Sequence, residues 1–197
     1  YLALGDAHNP NDPKFSAFRA NLLKQYGVTR VEDLPVNYKG LLALEGERLT
    51  ASLFARYAAR DSAIQQQQNL LVRVFALLSP TVALREVSMT VAQTDLRAHE
   101  RFLSQAERYR YGLVQQLNQL QADAVSLADD TAKDAGADQR KRIDAAHWHR
   151  IPVFAFEPSA TAQLLHAGRA SLALLAGWLL LSLCLVTVAA RRMGVAR

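Results

Sequence analysis

The chain of 197 residues contains a single cysteine, Cys184, so no disulfide can form within it. It also lacks the short motifs of common catalytic and nucleotide-binding sites, namely G-x-x-x-x-G-K-[ST], G-x-G-x-x-G, H-E-x-x-H, C-x-x-C and G-x-S-x-G. No paired-carboxylate arrangement is discernible, because Asp129 and Asp130 fall at a helix end and are interpreted as solvated. We therefore expect no catalytic residue, no cofactor and no enzymatic activity in this chain.

A basic tract is also missing, although the net charge is +5. The arginines are scattered along helical stretches with acidic residues among them, which is typical of a solvated helix surface. We therefore expect no nucleic-acid partner.

Charge is absent from one long stretch. From Ala170 to Ala190 the sequence has no Asp, Glu, Lys, Arg, His, Asn, Gln or Pro. As a helix these 21 residues would extend roughly 31 Å, about the thickness of one bilayer core. The mean hydropathy of −0.04 is thus the average of a polar domain and one membrane span. Cys184 lies within the span and is interpreted as a small apolar residue.

The charges that flank this stretch predict its orientation. Arg191, Arg192 and Arg197 follow it, whereas only Arg169 and a mostly neutral His166 lie shortly before it. Short basic flanks stay in the cytoplasm, so the large domain should be extracytoplasmic. No N-terminal apolar segment would export that domain. We therefore expect further membrane sequence upstream, with Tyr1 not the native start.

The remaining pattern predicts helices. Asp12 before Pro13 predicts a helix over 13–26 that stops at Gly27, and Ser79 before Pro80 predicts another over 80–93. Apolar periodicity predicts two helices of about 35 residues, one over 41–78 and one that begins after Asp95 and fades near 129–135. A polar loop should follow to residue 150, then an extended segment over 151–158, and Ser159 should cap the last helix.

The predicted fold is therefore all-α. An elongated extracytoplasmic helical bundle with two long helices is followed by one C-terminal transmembrane helix. The domain boundaries are residues 1–158 for the extracytoplasmic domain, 159–192 for the helix that contains the span 170–190, and 193–197 for a cytoplasmic tail.

Two clusters of side chains could hold a metal, but for both we favour a structural role over metal binding. His147 and His149, near Asp144, would share a face if the backbone were extended but would diverge in a helix. A polar and aromatic loop is the preferred interpretation, which leaves His147 and His149 as weak metal candidates. Asp95, His99 and Glu100 form the second cluster, for which a surface pair beside a helix cap is favoured.

The residues that we expect to matter for membrane topology lie at the two ends of the span. Arg191 and Arg192 are predicted to mark the cytoplasmic stop. Trp148, Phe154 and Phe156 lie shortly before the span and are predicted to anchor the chain at the bilayer interface, where amphipathic aromatic residues are enriched.

Three stretches together resemble a known family. They are His8-Asn9-Pro10-Asn11-Asp12-Pro13 with Tyr26-Gly27-Val28 and Asp33-Leu34-Pro35-Val36-Asn37; Leu78-Ser79-Pro80 through Ser88-Met89 to Thr94-Asp95; and Phe102 with Ala106-Glu107-Arg108-Tyr109-Arg110 and Asn118. With the proline-bracketed segment before the span, the set resembles the DUF3526 family of ABC-2-type transporter permeases over nearly the whole chain. One departure is that Ala92-Gln93 stands where the family pattern reads Ala-Gly.

The resemblance implies a subunit of the bacterial inner membrane. Its expected partners are the lipid bilayer, the remaining spans of the same permease, a separate cytoplasmic ABC ATPase and a second permease copy. A permease has several spans, so this chain with one would be its C-terminal portion. Two alternatives remain: the periplasmic ligand-sensing bundle of a membrane-anchored receptor, and a metal-binding periplasmic protein that uses His147 and His149.

Overall fold

The structure, a computed structural model, describes residues 5–7, 9 and 11–195. Over these residues it is all-helical and contains no β-strand. The helices are α1 (Pro13–Tyr26), α2 (Tyr38–Ala76), α3 (Pro80–Val91), α4 (Leu96–Ala124), α5 (Leu127–Thr131), α6 (Ala137–Arg140) and α7 (Thr161–Val195). Of the predicted features, Tyr1, His8, Pro10 and Arg197 lie outside the described residues, as does the side chain of Trp148.

The ends of α1 are as predicted. The Asp12 carboxylate accepts hydrogen bonds from the amides of Lys14 and Phe15, and Pro13 occupies the first helical position. Gly27 ends the helix with φ +67°, the left-handed conformation that glycine adopts without a Cβ penalty. The carboxylate also accepts from the Asp6 amide, and these backbone hydrogen bonds lower the pKa of Asp12.

The predicted end of the second long helix, the one that begins after Asp95, is wrong. We expected a helix that fades near 129–135, but α4 ends at Ala124 and a new helix, α5, starts at Leu127. Ser126 adopts extended backbone angles (φ −68°, ψ 152°), and its side chain accepts from the Asp129 amide. This local cap overrides the apolar periodicity, since it satisfies amides that the broken helix leaves without a partner.

The polar stretch after α5 is more ordered than the predicted loop. It contains α6 and a six-residue 3₁₀ helix, Ala145–Arg150. Arg140 of α6 bridges Asp129 of α5 (2.8 Å) and Asp134 (2.5 Å). Hydrogen bonds lower the pKa of both carboxyls below their usual range. Ser126 has the largest effect at Asp129, followed by Arg140, and Arg140 has the largest effect at Asp134.

The chain then runs without regular secondary structure from residue 151 to 160, and α7 begins at Thr161. The Ala160 carbonyl accepts the first helical hydrogen bonds, from Gln163 and Leu164. Ala160, rather than the predicted Ser159, therefore precedes the helix.

Two compact units divide the chain, and α2 and α4 each contribute to both. Unit 1 comprises the residues up to Ala58 with Ala106–Ala155, and unit 2 comprises Ala59–Gln105 with the residues from Phe156 onward.

Within unit 1, the start of α2 meets the end of α4 in very close contact. Gly40 is buried, and a Cβ added to it would lie 2.6 Å from the Ala122 amide nitrogen and 2.7 Å from the Ala122 Cα. Ala122 is itself buried. The two helices can approach this closely only because residue 40 has no side chain.

Asn37 also holds the start of α2 against the end of α4. Its side chain is the largest fully buried one among the described residues, at 1% exposure. Its amide donates to the Ala122 carbonyl (2.8 Å), its side-chain oxygen accepts from the Lys39 amide (2.9 Å), and its side-chain nitrogen donates to Asp130 (3.2 Å). The expectation that Asp130 is solvated is therefore wrong. Its side chain is 14% exposed, because Asn37 and Lys39 from a distant part of the sequence cover it.

A charged cluster joins the middle of α2 to α4 in unit 1. Arg110 contacts Glu47 of α2 and Glu107 of its own helix, both at 2.7 Å. The hydrogen bond from Arg110 lowers the pKa of Glu107, and the two carboxylates raise that of Arg110.

Candidate functional site

The functional candidates of unit 2 lie where α3 packs along α7. Ser171 is buried on α7 and donates a hydrogen bond of 2.6 Å to the Glu86 carboxylate of α3. One turn away, Thr90 of α3 lies against Gly168, whose absent Cβ would be 3.9 Å from the Thr90 methyl group. A polar bond and a small residue thus fix the position of α3 on the first part of the apolar helix.

Two glutamine side chains hold the irregular segment that leads into α7. The Gln105 side chain of α4 donates to the Glu157 carbonyl (2.9 Å) and accepts from the Glu157 amide (2.8 Å). The Gln93 side chain accepts from the Ser159 amide at 3.0 Å. Since the segment has no regular secondary structure, these side chains supply hydrogen bonds that a neighbouring strand would otherwise provide.

Gln93 has an unusual backbone conformation. Its φ of +54° is the only positive value of a non-glycine residue within the described ranges. The Gln93 amide donates to the Thr90 carbonyl (3.2 Å) and the Thr94 amide to the Met89 carbonyl (2.9 Å). This pair of bonds is a Schellman motif, which places a left-handed residue directly after the helix.

An open cavity of about 450 Å³ lies between the end of α3 and the starts of α4 and α7. Arg97, Arg101 and His166 line it together with one acid, Asp95. Both Asp95 oxygens are engaged, one by the Ala98 amide (2.9 Å) and one by the Thr90 hydroxyl (3.3 Å). With its only carboxylate occupied, the cavity has the chemistry to accept an anionic group rather than a metal cation.

The predicted Asp95, His99 and Glu100 cluster is not brought together as one site. Asp95 caps α4, as expected, and contacts His99 through a backbone bond. The Glu100 carboxylate instead accepts from the Ser62 hydroxyl and from the Gln66 side chain (3.3 Å), both on α2.

His147 and His149 lie in the 3₁₀ helix of unit 1 rather than in extended backbone. At three residues per turn, side chains two positions apart point in directions roughly 120° apart, so the two imidazoles diverge. His149 is exposed, whereas His147 is half-buried and its Nδ1 is a buried atom without a hydrogen-bond partner. Within the described residues, no group of three or more His, Cys, Asp or Glu side chains could hold a metal ion.

The predicted topology residues fall as follows. Arg191 and Arg192 are exposed in the last turns of α7. Phe154 contacts the Tyr109 ring in unit 1 (centroids 5.4 Å apart), and Phe156 meets Phe102 edge to face in unit 2 (5.7 Å). Both phenylalanines thus have ring partners on α4, and their role as interface anchors stays a prediction.

The α7 helix itself has the length and composition of a membrane span. Its segment Thr161–Gly194 contains a window of 18 residues with a mean hydropathy of 2.4, and none of that window is buried inside the protein. The core helix of a soluble protein would be mostly buried, so α7 is a candidate transmembrane helix.

Comparison with known protein families decides the membership of the chain. Residues 2–157 match the family described as a domain of unknown function, DUF3526, which is about four fifths of the 197 residues. The chain belongs to the DUF3526 family. No curated protein and no solved structure matches this DUF3526 chain.

In this DUF3526 protein, Gln93 holds the left-handed conformation that glycine adopts most readily. The positive φ is thus kept without glycine, and the side chain of Gln93 is used to hold Ser159.

Sequence reasoning missed the polar contacts of this DUF3526 protein. Ser171 was simply part of the uncharged span, and Gln93 was only a departure from a pattern. Two signals could have identified them: a hydroxyl inside an apolar run, and a polar residue where a glycine is expected at a helix end.

Proposed function

We propose that this chain is the C-terminal part of a permease subunit of an ABC-2-type transporter. Residues 1–158 form its extracytoplasmic domain and α7 its last membrane span. The observation that carries this proposal is α7, whose apolar window has no buried residue and is followed by Arg191 and Arg192. The resemblance of the DUF3526 family to such permeases supports the transport role.

The positions of the charges support the orientation. Arginines directly after a span favour the cytoplasmic side, whereas the flank before α7 has only Arg169 as a permanent cation nearby. The bulk of the chain then lies on the opposite side, and the bilayer covers the exposed apolar surface of α7.

In this proposal the chain carries no ATP chemistry. A separate cytoplasmic ABC ATPase supplies the energy, and the remaining spans of the permease, with a second permease copy, form the pathway. The contribution of unit 2 is mechanical. The bond between Ser171 and Glu86, with the Gln105 contacts to Glu157, ties the outer end of α7 to α3 and α4. A shift of the span would therefore move α3 and the part of α4 in unit 2, and so reshape the mouth of the pathway.

Orientation is tested by cysteine accessibility in the full-length protein, after replacement of the native thiol by Cys184→Ser. We expect Lys133→Cys to react with a charged, impermeant maleimide in spheroplasts, and Arg192→Cys to react only after the membrane is permeabilised. The reverse labelling pattern would overturn the orientation.

The transport role is tested by the partners of the same protein. Mass spectrometry of the full-length protein, purified from its native membrane in mild detergent, should identify a co-purifying subunit with a Walker A sequence. Discovery of a signalling kinase or methyl-accepting module on the same polypeptide would favour the receptor alternative and contradict the permease.

A further inference from the structure

We propose that the turn between α2 and α3 enters the bilayer beside α7 and packs against lipid acyl chains. We define the α2–α3 tip as residues 74–84, the uncharged stretch between Arg73 and Arg85. The leaflet concerned is the one that holds the N-terminal half of the uncharged segment of α7. This inference rests on the proposed function, because it requires α7 to span a membrane.

The contacts of α3 show how deep the tip lies. Thr90 lies against Gly168, and Glu86 bonds to Ser171, so α3 runs antiparallel to α7. Continued in the same register, Pro80 at the start of α3 lies level with Gly177, roughly 10 Å into the uncharged segment of α7. A groove along α7 agrees with this register, because Leu77, which lies shortly before the start of α3, lines it together with residues of α7.

That groove has a volume of about 690 Å³ and lies along α7 between Ala170 and Leu181. Besides Leu77 it is lined by Trp178 and Leu181. By helical rise, residues 178–181 lie roughly 12–16 Å beyond Ala170, where the uncharged segment begins. Leu77 therefore lies about halfway across a bilayer core of roughly 30 Å.

Two cavities beside the last part of α2 give a second indication of how deep the α2–α3 tip lies. Leu70 lines a small cavity with Arg97, and Arg97 also lines the larger cavity with His166. Leu70, Arg97 and His166 are thus linked through two adjoining cavities, and all three lie outside the uncharged segment. By the register of α3 on α7, Arg85 lies near the level of Ser171, where an arginine side chain can reach lipid headgroups.

The burial pattern along α7 shows where the protein cover ends. Ser171 is buried, and Leu174, Leu175 and Trp178, on the same helical face, are half-buried. From Leu179 to the last described side chain, every residue of α7 is exposed. The α2–α3 tip thus lies beside only the first half of the span.

The surface of the last turns of α2 is apolar over more than half of its circumference. Seven large apolar residues there and in the turn that follows are between 48% and 75% exposed: Leu70, Leu71, Val72, Val74, Phe75, Leu77 and Leu78. At 100° per residue the five that lie within α2 cover roughly 200° of the helix circumference. An amphipathic helix that docks onto a partner protein needs only a stripe of about 100°.

Lipid is the occupant that fits this surface best. Acyl chains surround an inserted element without a preferred direction, and the exposed surface continues onto Leu179 and Leu180 of the span. A second protein helix would cover one side of the tip and leave the others exposed.

The backbone of the turn is also compatible with hydrocarbon. The amides of Leu77 and Leu78 donate to carbonyls three residues earlier (3.1 and 3.0 Å), and the Ala83 amide donates to the Ser79 carbonyl (3.4 Å). Pro80, at the first position of α3, has no N–H. The tight turn therefore leaves few donors that need water.

The test measures the surroundings of spin labels by electron paramagnetic resonance. The full-length Cys184→Ser protein is reconstituted in vesicles of phosphatidylcholine and phosphatidylglycerol, with one label at Leu78→Cys, Leu183→Cys or Gln67→Cys. All three positions are exposed, and circular dichroism checks that each labelled variant keeps its helix content. Collision rates with oxygen, which enters bilayers, and with a polar nickel chelate, which does not, are compared.

We expect the label at Leu78 to behave as the label at Leu183 does, with high oxygen access and severalfold lower nickel access than at Gln67. High nickel access at Leu78 with a lipid-like Leu183 would overturn the tip insertion and leave the span intact. High nickel access at both positions would contradict the proposed function itself. Low access of both reagents at Leu78 would mean that protein, not lipid, covers the tip.

Discussion

At the scale of single residues, two glycines of α2 show how much one missing side chain can decide. Gly40 and Gly46 both lie inside the same helix, where glycine is normally unfavourable by about 1 kcal/mol relative to alanine. Gly40 faces the backbone of Ala122, whereas a Cβ at Gly46 would meet nothing within 4 Å. The same substitution should therefore have opposite effects at the two positions.

We predict that Gly40→Ala destabilises the protein by about 2 kcal/mol, because a methyl group cannot fit 2.6 Å from a backbone nitrogen without separating α2 from α4. Gly46→Ala, the matched control, should leave stability unchanged or raise it by up to about 1 kcal/mol. Chemical denaturation in detergent, followed by circular dichroism, measures both. Equal effects of the two substitutions would refute the close contact.

At the scale of helices, signals directly at a helix start predicted two of the starts. Asp12-Pro13 located the start of α1 through the Asp12 cap and the proline. At α3 the proline alone marks the start, because the Ser79 side chain makes no capping hydrogen bond. The end of α4 was misplaced, because the Ser126 cap competes with an apolar pattern that continues past it.

Contacts between distant parts of the sequence could not be predicted in this way. A partner of Asp130 is Asn37, which is 93 residues away, so a largely covered carboxylate looked like a solvated one. The candidate site shows the same division. Its span and flanking arginines were visible as composition, whereas the hydrogen bonds of Glu86 with Ser171 and of Gln105 with Glu157 depend on how the helices pack.

The contact between α2 and α4 through Arg110 should depend on pH. The lowered pKa of Glu107 means that the stability from this pair is complete above the ordinary value of 4.5 and is lost as the pH falls through the lowered pKa. We predict that Arg110→Met lowers the thermal midpoint at pH 7, and that the difference from the unmodified protein shrinks as the pH falls below 4.5. Differential scanning fluorimetry across pH 3–8 measures it.

Arg56→Met is the control for that experiment. Arg56 is exposed on α2 and makes no ion pair with any residue that the structure describes. Its midpoint difference from the unmodified protein should be small at every pH. A gap for Arg110→Met that stays constant down to pH 3 would mean that packing of the arginine chain, rather than its charge, holds the helices together.

At the scale of the whole molecule, the polar helices and the apolar window of α7 differ in what they bury. The polar helices bury Asn37, Phe15 and Leu22, whereas the apolar window of α7 buries nothing. Under the proposed function the bilayer covers that window, so the effect of a charge on an exposed leucine should depend on which part carries it.

We predict that Leu180→Lys combined with Leu183→Lys prevents stable membrane insertion of α7, because each central lysine costs about 2.5–3.5 kcal/mol in a span. Leu165→Lys, at an equally exposed leucine before the uncharged segment, should insert normally. Labelling of Arg192→Cys by the impermeant maleimide in spheroplasts, in the full-length Cys184→Ser protein, reports the difference: the thiol should stay protected with Leu165→Lys and become reactive in the double variant. A double variant that labels as the protein without added lysines does would argue that α7 is not a span.

The backbone at Gln93 constrains how this protein can evolve. A left-handed φ of +54° favours glycine, yet the hydrogen bond to Ser159 needs a side chain that only a longer polar residue provides. Most single substitutions there would keep the strain and lose the bond. The position thus has two separate solutions, glycine without the hydrogen bond and glutamine with it. From glutamine, the substitution that costs least is glycine, where relief of backbone strain offsets the lost contact.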